Sequence, residues 1–148
     1  MNSIMTTTEI ENVLQSQSIC RLACNDKTFP HLIPISYFYD GKYIYCQSQP
    51  GKKIELMQKD PNVTILVDII GSMNNYKSVI VNGEYQELKG LEADSARKLL
   101  FEQIFSLMTT TRIHFFQHEE AGKIDDSERI KIIMFRIKIL NTSGRKEA

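Results

Sequence analysis

The clearest chemistry in the chain lies in seven residues, Gln47-Ser48-Gln49-Pro50-Gly51-Lys52-Lys53. Gln47 and Ser48 end an aromatic, β-branched run that reads as a strand; Pro50 and Gly51 break it, and a helix opens at Lys52. A hydroxyl, unpaired backbone N–H groups, the positive end of a helix dipole and two ammonium groups then meet on one loop, which is the equipment of an anion site. A solvated lysine pair beside a turn is the plainer reading, and the residues leave both open. Upstream, Pro34 interrupts His31-Leu32-Ile33-Pro34-Ile35-Ser36. Proline cannot donate to a ladder, so this strand is expected at a sheet edge, or where a ligand or partner takes a neighbour's place.

Other residues carry less. Asp68 sits inside an apolar strand with no identifiable partner, and a single carboxylate names no reaction. His114 and His118, followed by Glu119 and Glu120, have the spacing of a metal pair on a helix. Thr109 to Arg112 is a poor helix start and no third ligand is indicated, so no metal is expected. His114 or Phe115-Phe116 could form a flap beside a site, against the plainer reading of a packed loop. Cys20, Cys24 and Cys46 are odd in number and include no CxxC pair, which reads as buried reduced thiols. Dinucleotide fingerprint, Walker loop and GxSxG are all absent from the sequence.

The elements that must position these groups follow from periodicity and punctuation. One of Thr6, Thr7 or Thr8 caps a helix over 7–15 with Ile10, Val13 and Leu14 on one face and Glu9 in its first turn. Strands follow over 18–24 and 30–39 around an Asn25-Asp26-Lys27 turn, and Asp40-Gly41 turns the chain into a third strand over 42–48. A short helix over 52–59 ends at Asp60-Pro61. Val63 to Ile70 reads as a strand buried on both faces, and Tyr76 to Leu88 as a fifth strand with a bulge or kink at Gly83. The longest helix spans 92–108 with Leu91, Ala96, Leu99, Leu100, Gln103 and Leu107 in one stripe. After a loop over 109–127, a sixth strand runs from Ile130 to Leu140, and 141–148 reads as a frayed polar tail. Six short antiparallel strands with few helices favour a small closed barrel, mainly β with flanking helices.

Size and charge set the outer bounds. With 148 residues, 42% of them hydrophobic, the chain is expected to form one domain over 1–148. Eighteen basic residues cancel eighteen acidic ones, which argues against a protein that lives by neutralising nucleic-acid phosphates or anionic lipid. Apolar runs such as Val63 to Val67 are far shorter than the ~20 residues of a membrane span. The first residues show no secretory pattern, so a cytoplasmic location is expected.

Three separated segments carry a resemblance: PHLIPISYFYDGKYIYCQSQPGKKIELMQKDP, YKSVIVNGEYQEL and ILNTSGRK. In this order they resemble the flavin-binding split β-barrel superfamily, the pyridoxamine-phosphate-oxidase-like proteins, and within it the nitroimidazole-resistance-type flavoproteins. The resemblance implies a six-stranded antiparallel split β-barrel holding FMN. Its phosphate would lie near Lys53, with Lys52, Gln47 and Ser48 beside it and His31 or Ser36 reaching it. Ile33, Pro34, Ile35 and Ser36 would pass along the isoalloxazine. Members are homodimers with the flavin at the interface, so Ser78, with Lys77 or Tyr76, would contact it from the fifth strand. The implied activity is a flavin-dependent oxidoreductase with a small-molecule substrate; the alternative is a non-catalytic flavin or haem binder. Other branches carry arginine where this chain has His31, and nitroimidazole-type proteins often carry histidine where it has Lys52. The substrate-binding C-terminal segment of true pyridoxamine-phosphate oxidases is not apparent, so vitamin B6 oxidation is not implied.

Overall fold

A computed structural model describes residues 2–107 and 132–147. The expected loop over 109–127, with His114, Phe115, Phe116, His118, Glu119 and Glu120, lies outside the described residues, as do Ile130 and Lys131. The elements run β1 (Ser3–Ile4), α1 (Thr7–Ser16), β2 (Ile19–Cys24), β3 (His31–Ser36), β4 (Phe38–Tyr39), β5 (Tyr43–Ser48), α2 (Lys52–Lys59), β6 (Asn62–Ser72), β7 (Asn75–Glu87), α3 (Gly90–Leu107) and β8 (Ile133–Glu147). The strands form one antiparallel sheet ordered β3-β2-β6-β7-β8-β5-β4, with β1 added to β8.

This is the expected mainly β split barrel, with eight strands among the described residues in place of six. One extra strand comes from the 30–39 segment, which is broken at Tyr37 into β3 and β4 at opposite ends of the strand order. Tyr37 is fully buried; its N–H donates to the Ser18 carbonyl at 2.9 Å and its hydroxyl to the Leu14 carbonyl at 2.6 Å. That corner carries the chain from one end of the sheet to the other and curls it. The β4–β5 hairpin pairs Tyr39 with Ile44, and Asp40 donates to the Tyr43 carbonyl, so Gly41 and Lys42 are the central residues. Gly41 takes φ 96°, and Asp40 Oδ1 accepts from the N–H groups of Lys42 and Tyr43.

The other extra strand is β1, and the expected frayed tail is ladder too. Thr142 to Glu147 pair with Val81 to Tyr76, and Arg145 and Lys146 also pair with β1. Its polar residues look like tail in composition, yet Asn141 accepts from Asn82, which accepts in turn from Thr64 across three strands. Gly144 is buried under Met5 and Ile10, where a Cβ would lie 2.8 Å from the Met5 sulfur. The bulge falls where Gly83 predicts it: Asn82 pairs with Asn141 and Gly83 with Ile139, so Leu140 is the extra residue.

α1 starts in a capping box, Thr6 accepting from the Glu9 N–H and Glu9 from the Thr6 N–H. Its Ile10, Val13 and Leu14 fill the barrel with Cys20, Leu22, Ile44, Ile65, Val79 and Phe135. α3 covers the outer side of β4, β5 and the start of β8 with Ala93, Ala96 and Leu100 on Met134, Phe38 and Tyr45. Leu91 and Leu99 are exposed, so the buried stripe is rotated from the expected one. β6 is buried on one face only: Val63, Ile65 and Val67 point in, while Thr64 and Ile70 are exposed on the outside. The expectation of two covered faces fails because no described helix packs on the outer side of β2, β6 and β7. That open face also carries Ile19, Leu32 and Ile80.

Candidate functional site

β5 ends at Ser48 and α2 begins four residues later, so the short Gln49-to-Gly51 turn keeps the helix N-terminus near the strand end. Gly51, the N-cap residue, is extended (φ 165°) and no side chain caps the helix; the Glu55 N–H donates to the Gly51 carbonyl. The first-turn N–H groups therefore face outward with Lys52 and Lys53 beside them. Lys52 Nζ lies 3.0 Å from Asp26 Oδ2. That bond chiefly holds the Asp26 carboxyl below its ordinary range, with His31 adding a smaller pull. Burial, then the Asp26 charge, pushes the Cys24 thiol up, while Lys53 and Lys52 pull it down. Lys52, Lys53 and His31 are thus gathered around the end of β2. Ser48 is buried with its hydroxyl donating to the Gln49 carbonyl at 2.8 Å, and Gln47 is half-buried beside the start of β8.

β3 forms the adjoining wall. Among the described residues it pairs only with β2, from His31 opposite Cys24 to Ser36 opposite Ile19, with Pro34 opposite Arg21. The expected edge position of Pro34 is what the fold shows. Ile33 and Ile35 lean on the core half-buried, and Leu32 and Pro34 face out.

Tyr76, Lys77 and Ser78 are elsewhere. Ser78 stands between Asp68 on β6 and Arg145 on β8, Lys77 between Ile69 and Lys146, and Tyr76 between Ile70 and Glu147. The Tyr76 hydroxyl accepts from Asn2 Nδ2 at 3.1 Å. The His31 end of the sheet carries the row Cys24, Val63, Gly83. Ser78 is five residues along β7 from it, roughly 17 Å at ~3.4 Å per residue. One chain therefore gathers the lysines and His31, and holds the β7 group apart from them.

Two concavities open on the uncovered face. One, of about 440 Å³, has Asn25, Pro30, Asn62, Thr64, Asn82 and Asn141 among its walls; the other, of about 580 Å³, has Leu66, Asp68, Ile70, Met73, Tyr76 and Ser78. Asp26 and Arg145 are the neighbours that sequence reasoning missed. Asp26 reads there as a turn former and Arg145 as tail, and nothing local announces their partners.

Among known proteins, the profile of the pyridoxamine 5'-phosphate oxidase family matches residues 6–145. A crystal structure of an FAD-binding protein from Mesorhizobium loti is 30% identical, with 100% of this chain and 98% of that one covered at a TM-score of 0.74. A putative 5-nitroimidazole antibiotic resistance protein from Bacteroides thetaiotaomicron is 16% identical over 99% of this chain and 87% of its own, at a TM-score of 0.75. An uncharacterized protein from Rhizobium meliloti is 38% identical over 85 residues, 57% of this chain and 56% of that protein, so the chain spans about half the length of this curated relative. No described helix is long and apolar enough to cross a membrane. With the split barrel, the edge strand bearing Pro34 and a family profile spanning nearly the whole sequence, the chain belongs to the pyridoxamine 5'-phosphate oxidase family.

Proposed function

We propose that this protein is a homodimeric, cytoplasmic FMN-binding flavoprotein that acts as an oxidoreductase on a small molecule. The observation that carries the reading is the gathering of Lys52, Lys53 and His31 at an uncapped helix N-terminus, next to a strand edge that has no partner on its outer side among the described residues. This donor set suits a phosphate: two ammonium groups, an imidazole and free N–H groups. Lys53 is the principal cation, because Lys52 is shared with Asp26; Gln47 flanks it, and Ser48 would turn its hydroxyl from Gln49 to the phosphate. Ile33, Pro34, Ile35 and Ser36 offer a half-apolar edge to the ring. Bound flavin supplies the electron transfer, and the chain's own residues bind it, orient it and exclude water.

The dimer enters because one chain keeps Tyr76, Lys77 and Ser78 away from the phosphate group of residues. A second copy packed on the open sheet face can bring its own β7 to the first copy's β3 edge. That packing also covers Ile19, Leu32, Ile70 and Ile80, which are otherwise exposed. The cytoplasmic assignment is supported by three unpaired buried cysteines. The relative described as FAD-binding makes FAD the ligand to compare.

Titration with FMN, FAD and riboflavin tests the reading. FMN is expected to bind far more tightly than riboflavin, and Lys53→Ala to close that gap by about 10–100-fold, the range for losing a charge-assisted bond of ~1.5–3 kcal/mol. Equal losses for both ligands would remove Lys53 from the phosphate site. Tighter FAD binding would move the cofactor to FAD, and a Soret band in the purified protein would turn the reading to haem.

A further inference from the structure

The connection from β2 to β3 carries two ionisable side chains on one hairpin, Asp26 in the turn and His31 at the first position of β3. His31 lies directly opposite Cys24, and residues opposite each other in an antiparallel pair share a face of the sheet. Cys24 is buried, so the half-buried imidazole stands on the barrel side, at the end of β2 where the charges of Lys53 and Lys52 are felt.

The charged groups around it come from three segments. In the turn, Asp26 accepts from the Lys27 N–H at 3.0 Å through Oδ1 and holds Lys52 at 3.0 Å through Oδ2, while the Lys27 side chain is exposed. From α2 come Lys52 and the half-buried Lys53. Asp60, at the far end of α2, is taken by Asn25 Nδ2 at 2.9 Å. β5, which also approaches β3, ends in uncharged Gln47 and Ser48. Asp26 is thus shared: Lys52 chiefly, and His31 more weakly, hold its carboxyl below the ordinary range.

Histidine is the side chain whose ordinary titration falls between about pH 5 and 8, far below that of lysine. With the imidazole charged, Asp26 has a second cation beside it, and Lys52 can turn to an anion at the helix start. With the imidazole neutral, Asp26 keeps Lys52 and Lys53 faces the anion with less help.

We propose that His31 and Asp26 form a pH-sensitive switch on the phosphate site: the imidazolium takes Asp26 from Lys52 and adds its own charge, so a phosphorylated flavin is gripped in mildly acidic solution and loosened in mildly alkaline solution. The switch rests on the phosphate reading of this cluster and adds to it the condition under which the cofactor is released. Linkage fixes the sign. A proton bound beside the site strengthens the binding of an anion, and the anion holds the proton in return, so affinity falls as pH rises through the imidazole's titration. The second ionisation of a phosphate monoester, near pH ~6, works in the opposite direction and is nearly complete above neutrality.

Fluorescence titration of the purified full-length protein with FMN and riboflavin, from mildly acidic to mildly alkaline pH, tests this. FMN affinity is expected to fall about three- to tenfold as pH rises, and riboflavin affinity to stay level. His31→Arg, charged throughout, should keep the tight grip and flatten the step, and His31→Gln should flatten it at the loose level. Asp26→Asn should shrink the step, because Lys52 no longer has to be released. All variants are compared after circular dichroism shows a native-like fold. A level FMN profile in the native protein, a step that persists in His31→Gln, or a riboflavin profile falling in parallel would overturn the switch. An undiminished step in Asp26→Asn would overturn the sharing of Asp26. FMN preferred over riboflavin at every pH without a step leaves the phosphate reading standing and fails the switch. No preference for FMN at any pH fails both.

Discussion

Lys52 can meet a phosphate only by sharing or leaving Asp26, 3.0 Å away, so Asp26 sets how much positive charge the helix start presents. Lys52 is largely exposed, so water and salt screen the pair strongly. Asp26→Asn is therefore expected to tighten FMN binding a few-fold and leave riboflavin unchanged, most visibly at low salt. Fluorescence titration of both ligands at two salt concentrations checks it, and a parallel change in the two would place the effect away from the phosphate. Of this cluster, Lys52, Lys53 and the Gly51 break were legible in the sequence because they are contiguous. Asp26 was not, because its relation to Lys52 exists only once β2 and α2 are packed together.

At the scale of elements, α1 is tied down twice. Glu9 closes the capping box and also pairs with Lys146 at the end of β8. The Lys146 bond first, then the Thr6 N–H, lower the Glu9 carboxyl from 4.5 to about 2. A depressed folded-state value means the stabilisation is complete above the ordinary range near 4.5 and is lost as pH falls through about 2. Glu9→Gln should lower the melting temperature at neutral pH, and the gap to the native protein should shrink from pH 5 down to 2 in circular-dichroism melts. A constant gap would assign the loss to the cap alone. Gly83 makes the second test. A Cβ there would stand 2.5 Å from Ile137 Cγ2 and 2.6 Å from the Lys138 carbonyl oxygen, which is backbone and cannot swing aside. Gly83→Ala is expected to cost about 1–3 kcal/mol, read from urea midpoints. The bulge was foreseen from the glycine, but not that β8 would carry the extra residue.

For the whole molecule, the decisive feature is an outer sheet face left uncovered by α1, α2 and α3, with Ile70 71% and Leu32 65% exposed. If a second copy covers it, Ile80→Glu at its centre should convert a two-chain mass to a one-chain mass in light scattering and weaken FMN in the same variant. A two-chain mass for Ile80→Glu would put the interface on another surface. Loss of the dimer with full FMN affinity would show that one copy suffices for the flavin.

Alternation of apolar and polar residues, a threonine before an amphipathic run, Asp-Gly, Pro-Gly and Asp-Pro are local signals. They act through φ, ψ and side-chain direction within a few residues, and they determined α1, α2 and most of the strands. The same locality explains the errors. A nearly continuous apolar run over 63–70 records hydrophobicity but not which side of the sheet is covered, and the polar residues of 141–147 record composition but not the β7 ladder that claims their backbone groups. Residues 30–39 carry strand propensity throughout, yet their backbone bonds go to β2 before Tyr37 and to β5 after it. Pairing partners, the closure of the barrel and the meeting of Asp26 with Lys52 or Asp68 with Ser78 are properties of distant segments brought together. Only the tertiary structure decided them, because no local preference distinguishes one available strand edge from another.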